Sequence, residues 1–320
     1  MLIKTADDKR KRIQLLNDLQ QSTQLDARQR QWLREELDRL QLGLQGERDA
    51  AYYIDNWLKD SSNSAVLHDL RVSVDGEVAQ IDHLVLHRTL QIYLFETKCF
   101  SGHLQINEHG EFTVRYGNTK AYGIPSPLEQ SRRHERVLTR LLERLDITGR
   151  AGLKPVFHHA VLLHPKAIIE RPKPNAFDTR DVIKADQIAS WHERYVNERM
   201  GVGATFGMLM NVHSSDTLKS WAEKLARQHR PQDPLALPAF MAPRPAKSAQ
   251  PATANSVEAR AKSEASPQAT QSVEDHPLYR KLECVKCHSK ISYAEGKFCW
   301  NNPRRFGGLQ FCRAHQAEAA

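Results

Sequence analysis

Apolar residues along this chain follow two rhythms, and the change from one to the other divides it. Across residues 8–44 they recur at helical spacing among many charges. Leu15, Leu16 and Leu19 lie in one stretch, and Trp32, Leu33, Leu37 and Leu40 in another, with a break near Ser22-Thr23. This predicts a charged helical hairpin. A further helix is expected over residues 45–59, with Glu47, Ala51, Ile54 and Leu58 on one face. The rhythm then shortens to two. Strands are expected at 66–74, 80–86 and 91–98, the first pair joined by the hairpin signal Asp75-Gly76 and the second separated by the polar break 87–90. Residues 104–106 and 112–116 read as another hairpin. Ser126 then caps a helix with Pro127 at its first position and Glu129 completing a capping box. Gln130, His134, Val137 and Leu141 form one stripe of that helix, polar first and apolar later. Strands at 156–163 and 181–185 and helices at 187–199 and 217–229 complete the expected core.

Charge on the strands changes the picture. Side chains alternate faces, so Glu96 and Lys98 point one way and Thr97 the other, while Asp82 shares a face with Leu84 and Leu86. If the two strands pair, Asp82 lies beside Glu96 and Lys98. Charges on apolar strands are costly unless paired, hydrated or bound to a metal. Two carboxylates and an ammonium at a sheet's edge suit a divalent metal and a water nucleophile, the chemistry of phosphodiester hydrolysis. Glu47 is a second oddity, a carboxylate on an apolar stripe. A first-turn acid favoured by the helix dipole is the plainer account, but the stripe points it toward the sheet.

The order Asp82, then Glu96-x-Lys98, resembles the PD-(D/E)xK nuclease superfamily. The surrounding residues are similar to the nuclease-related domain, NERD, from about Gly46 to about Leu145. Gln80-Ile81-Asp82-His83, Glu96-Thr97-Lys98, Ser101-Gly102 and Pro127-Leu128-Glu129-Gln130 are the anchors. The resemblance implies a restriction-endonuclease-like α/β fold, a four-to-five-stranded mixed sheet flanked by helices with the site at one edge. It implies that Asp82 and Glu96, with the Thr97 carbonyl, hold Mg²⁺ or Mn²⁺, and that Lys98 orients or helps deprotonate the attacking water. It further implies that Glu47 binds a second ion or positions water, and that Gln130 holds substrate or Lys98. The expected function is a metal-dependent nuclease acting on nucleic acid, DNA foremost, in DNA processing or defence. The alternative is a catalytically inactive nucleic-acid-binding or scaffolding protein with the same core.

Composition narrows the class. The chain has 320 residues, 46 basic against 38 acidic, a formal charge of +8 and a mean hydropathy of -0.60. That suits a polyanionic partner, although solubility alone accounts for a modest positive charge. No run approaches the ~20 apolar residues of a membrane span, and the first twelve residues lack a signal-peptide core. Residues 231–275 are rich in Pro, Ala, Ser, Gln and Thr and read as a disordered linker. The expected organisation is a helical segment at 1–42, the nuclease-like domain at 43–230, the linker, and a small module at 276–320.

Four of the five cysteines follow residue 280, which argues against a disulfide framework and for a reducing cytoplasm. Cys284-x-x-Cys287 and Cys312-x-x-His315 are two knuckles with the spacing of a structural zinc site. Cys299 is the alternate ligand, between Phe298 and Trp300. Lys286, Lys297, Arg304 and Arg305 lie among aromatics and are candidate nucleic-acid contacts, although a small module needs some aromatics for its own core. A protein partner, through the N-terminal helices or this module, is also open.

Overall fold

A two-residue turn at Asp75 and Gly76, both at positive φ (53° and 81°), lets β2 (Ser64–Val74) fold directly back as β3 (Glu77–His87). This hairpin forms two adjacent strands of the main sheet of the computed structural model, which describes residues 1–100, 102–115, 121–199, 207–208, 210–241, 282–300, 302–306 and 309–318. The chain divides into two units, residues 1–246 and 247–320.

In the first unit, β3 pairs antiparallel with β4 (Gln91–Lys98), and β4 pairs parallel with β8 (Val156–Leu163). Two short strands extend the sheet to six, β1 (Leu2–Lys4) beside β2 and β10 (Val182–Lys184) beside β8, both parallel. The sheet is therefore wider than the four to five strands expected. A second sheet, in the order β7-β6-β5-β9, consists of β5 (His103–Ile106), β6 (Phe112–Arg115), β7 (Tyr122–Ile124) and β9 (Ile168–Glu170). Tyr116, expected in the same strand as Phe112, lies outside the described residues, as does Ser101.

Both faces of the main sheet are covered. α3 (Pro127–Arg144) and α5 (Ser215–Arg227) pack Val137, Leu138, Leu141, Leu218 and Leu225 on the face that carries Leu84, Leu86, Ile92 and Leu94. α2 (Ala27–Trp57) and α4 (Ile188–Arg199) place Ala50, Ile54 and Trp191 against Val66, Val85, Tyr93 and Phe95 on the other. α2 departs from expectation: it is one 31-residue helix rather than a hairpin arm followed by a separate helix at 45. Asp26 caps it with a full capping box to Gln29, and the break from α1 (Arg10–Gln20) falls at the predicted place. Gly46 is buried in α2 because the helix passes close to the sheet there. A Cβ on it would meet the Cys99 Cβ at 2.6 Å.

The expected linker does not start at 231. Residues 231–241 run back along α1 and α2: Arg12 donates to the Ala236 carbonyl, Gln29 donates to the Phe240 carbonyl at 2.8 Å, and Met241 is buried with Leu16 and Leu33. The remainder of that segment, from 242 to 275, lies outside the described residues. Among the described residues no helix is long and apolar enough to cross a membrane.

Candidate active site and metal centre

The pleat decides which charges meet. His83 is paired with Phe95, so at the end of this ladder Asp82 and Glu96 fall on the same face. Lys98, two residues further, joins them. The face is that of Leu84 and Leu94, against which α3 packs, and the first turns of α3 bring in two more polar groups. Lys98 Nζ donates to Glu96 Oε1 at 2.6 Å and to Gln130 Oε1 at 3.3 Å, and His134 Nδ1 lies 3.8 Å from Glu96 Oε2. The Thr97 amide donates to Asp82 Oδ2 at 2.7 Å, fixing that carboxylate across the strand gap. The site stands at the carboxyl end of β4, toward the middle of the sheet, rather than at a lateral edge.

Glu47 arrives from the opposite face. Ile54 and Leu58 are buried as expected, but toward the start of the stripe Gly46 and Ala50 are buried in place of Glu47 and Ala51, so Glu47 sits beside the contact with the sheet rather than within it. Burial pushes its carboxyl up to about 8, with repulsion from Asp82 and Asp69 adding to the effect. Burial and the Asp82 charge likewise hold Glu96 at about 8, and burial holds Asp82 at about 6. Three acids resist ionisation together because each is desolvated and some face one another. His134 moves the other way, to about 4, through burial and the nearby Arg133 and Lys98 charges, and is neutral near pH 7. The three carboxylates do not bring three ligand atoms within 4.8 Å of one another; among the described residues only the cysteine–histidine group below does so. The cation that Glu96 faces here is the Lys98 ammonium. Carboxylate and carbonyl oxygens are the donors a hard divalent ion requires, so Asp82, Glu96 and Thr97 fit Mg²⁺ or Mn²⁺ in kind.

Two supporting features escaped the sequence reading. Asp69 lies midway along β2 at φ 52°, a strained conformation for a non-glycine residue. Lys9 Nζ, Gln80 Nε2 and the Asp7 amide hold it, at 2.8, 2.7 and 3.2 Å. Burial works against its charge, but the Lys9 ammonium and these donors outweigh burial and keep its carboxyl below the ordinary range. A buried negative charge thus stands behind Asp82 and Glu47. The second feature is a relay on the other face. Burial keeps His68 and His83 neutral, so each carries one N–H. His68 Nε2 lies 3.1 Å from Asp55 Oδ1 and must donate to it. Its Nδ1 therefore accepts from His83 Nδ1 at 2.8 Å, and His83 Nε2 accepts from the Thr97 hydroxyl at 3.1 Å. Thr97 is held through its side chain and through its amide, which fixes the backbone from which its carbonyl projects. One signal was available: the two-residue turn fixes the register that sets His68 opposite His83.

A different constellation resembles a hydrolytic triad but is not one. His159 lies 2.7 Å from Ser131 Oγ and 2.9 Å from Glu135 Oε2, yet Ser131 is only 2% exposed and its hydroxyl cannot meet a substrate. The contact clamps α3 to β8, one residue away from both Gln130 and His134. At the start of α3, Ser126 accepts from the Glu129 amide as expected, but Glu129 pairs with Arg132 rather than closing the box.

In the second unit, α6 (Tyr293–Trp300), α7 (Pro303–Phe306) and α8 (Arg313–Glu318) surround the two knuckles. Cys284, Cys287, Cys312 and His315 place one ligand atom each within 4.8 Å of the others. His315 Nδ1 lies 3.4 Å from Cys284 Sγ and 3.2 Å from Cys312 Sγ, and Cys287 Sγ lies 3.8 Å from Cys312 Sγ. A tetrahedron with ~2.3 Å Zn–S bonds has S–S edges of roughly 3.8 Å, so the group fits zinc. Cys299 is buried elsewhere, its sulfur accepting from the Phe311 amide and from Gln316. Arg305 stacks on Phe306 and donates to the Gln316 carbonyl, which gives it a role within the module. Lys286 is exposed, and the side chains of Lys297 and Arg304 lie outside the described residues.

The fold and the site together define an α/β protein with an acidic, lysine-bearing cluster at the end of a strand in a mixed sheet. Residues 42–164 match the family model of the nuclease-related domain, NERD. The matched stretch has a nuclease-related fold and carries Glu47, Asp82, Glu96, Lys98 and Gln130. No curated protein and no solved structure matches the chain.

Proposed function

We propose that the first unit is a divalent-metal-dependent nuclease that hydrolyses phosphodiester bonds in DNA, with DNA processing or defence as its setting. One observation carries this reading: Asp82, Glu96, Lys98 and Gln130 converge at the end of β4 within the stretch that matches the nuclease-related family. Asp82, Glu96 and the Thr97 carbonyl would hold Mg²⁺ or Mn²⁺. Bound there, the cation would polarise a phosphoryl oxygen and acidify water. The Asp55–His68–His83 relay and the Thr97 amide hold the donors in place. Lys98 spends two of its three N–H bonds on Glu96 and Gln130, leaving one for a phosphate oxygen or the attacking water. Glu47 supplies a further carboxylate for water or a second ion. The raised carboxyls retain protons near neutral pH that a cation must displace, so metal affinity should climb with pH.

Zinc in the second unit is read as structural, with its basic and aromatic residues offered to nucleic acid. Its reduced cysteines suit the cytoplasm. The Lys98–Glu96 ion pair and the wider spacing of the three carboxylates favour one second reading, a non-catalytic nucleic-acid-binding or scaffolding protein. The discriminating experiment incubates labelled linear, circular and branched DNA with the full chain in Mg²⁺, Mn²⁺ or EDTA. Cleavage that EDTA abolishes, and that Asp82→Asn, Glu96→Gln and Lys98→Met each reduce at least ~100-fold, supports the nuclease. Uncut DNA under every metal would leave the second reading standing.

A further inference from the structure

The outer flank of α3 carries an unusual density of arginine. Arg133, Arg136 and Arg140, at i, i+3 and i+7, share one face and line a groove of about 710 Å³ with Val78 and His134. Within the row Arg140 pairs with Glu77, and the neighbouring Arg132 and Arg144 pair with Glu129 and Asp75. Arg133 and Arg136 are exposed and have no ion pair among the described residues. Arg140 Nε, shielded from solvent, finds no acceptor there. Exposed cations not matched by carboxylates on the same helix are what a polyanion would neutralise.

Position gives the row its meaning. His134 lines the groove and lies 3.8 Å from the buried Glu96, so the groove runs beside the site with His134 between it and the carboxylate that Lys98 holds. From there the row runs along α3 toward Glu77 and Val78, just after the β2–β3 turn. Seven residues of helix cover about 10 Å, roughly three phosphates of one strand at ~3.4 Å of axial rise each.

We propose that this groove is the track along which a DNA backbone reaches the site, with Arg133 and Arg136 as phosphate contacts. This deepens the nuclease reading and rests on it for the direction of the track, but binding can be measured without cleavage. The test uses the full chain and labelled DNA duplexes of about 20 base pairs in EDTA, with anisotropy titrations repeated across a salt series. Arg133→Glu/Arg136→Glu should weaken binding at least tenfold and lower the salt slope by nearly two, since each phosphate contact contributes about 0.9. Arg30→Glu/Arg34→Glu, on exposed positions of α2, makes the same change in net charge and should cost much less. Arg133→Ala/Arg136→Ala, with thermal melting of each variant, guards against misfolding as the cause. Unchanged binding by the groove variants, an equal loss in the α2 control, or no binding by the parent would each overturn the proposal. Binding through the groove without cleavage by the parent in Mn²⁺ would keep the track and remove the nuclease. Cleavage lost in Asp82→Asn, with unchanged binding by the groove variants, would do the reverse.

Discussion

At the scale of single residues, the site is organised by charges that lack water. Glu47 keeps its proton to about pH 8, whereas an exposed glutamate loses it near 4.5. Between those values the folded state binds more protons than the unfolded state, so this group makes stability fall as pH rises. Below pH 4 both states are protonated and the contribution vanishes. Glu47→Gln, which cannot ionise, should therefore melt like the parent at pH 4 and be more stable by about 1–3 kcal/mol at pH 9. Melting curves at the two pH values decide the matter, and a variant less stable at pH 9 would refute the burial argument. Excess Mn²⁺ should narrow the difference by restoring a counter-charge to the parent.

At the scale of elements, the position of α2 depends on a residue without a side chain. Gly46 lets the helix approach the end of β4, and Gly46→Ala would drive a methyl into Cys99. The helix or the strand must shift, costing about 1–3 kcal/mol, and Glu47 moves with it. Urea titrations should show a lower midpoint with an unchanged slope, whereas Gly43→Ala, in open space on the same helix, should stabilise slightly. The sequence made the elements around the site legible because each carries a local signal: alternation for β2, β3 and β4, a turn dipeptide, and a Ser-Pro cap for α3. Asp82, Glu96 and Lys98 were legible for the same reason, since a charge on an apolar strand face has to be explained. Asp69 was not, because its left-handed backbone and its Lys9 partner come from tertiary contacts with the N-terminal segment. The three-residue strands β1, β7 and β9 are too short to show a period of two in full, whereas β10 falls within the strand expected at 181–185. The junction expected at residue 45 failed because helix propensity continues through it, and Gly43 and Gly46 do not break a helix pinned by packing.

At the scale of the whole chain, the two units ask different things of metals. The first offers oxygen donors and the second sulfur and nitrogen, so the two should discriminate by ligand softness. Elemental analysis of the reduced full chain should find about one zinc, retained through dialysis against Mg²⁺. Cys312→Ser should lose it, while Cys299→Ser should retain it; the opposite result would move the site to the alternate ligand.

Residues 231–241 have a practical bearing on how the protein can be divided. They supply the third side of a small apolar cluster whose other members, Leu16 and Leu33, come from the two arms of the helical hairpin. A protein ended at residue 230 would leave those leucines facing water, together with the ring of Trp32 that Phe240 now meets edge-on. One ended at residue 241 would keep them covered. The shorter product should therefore self-associate and melt earlier, and the longer one should stay monodisperse in size-exclusion chromatography. Loss of DNA binding on removal of the second unit can be attributed to that unit only with the longer product, because the shorter one also uncaps the hairpin beside the site.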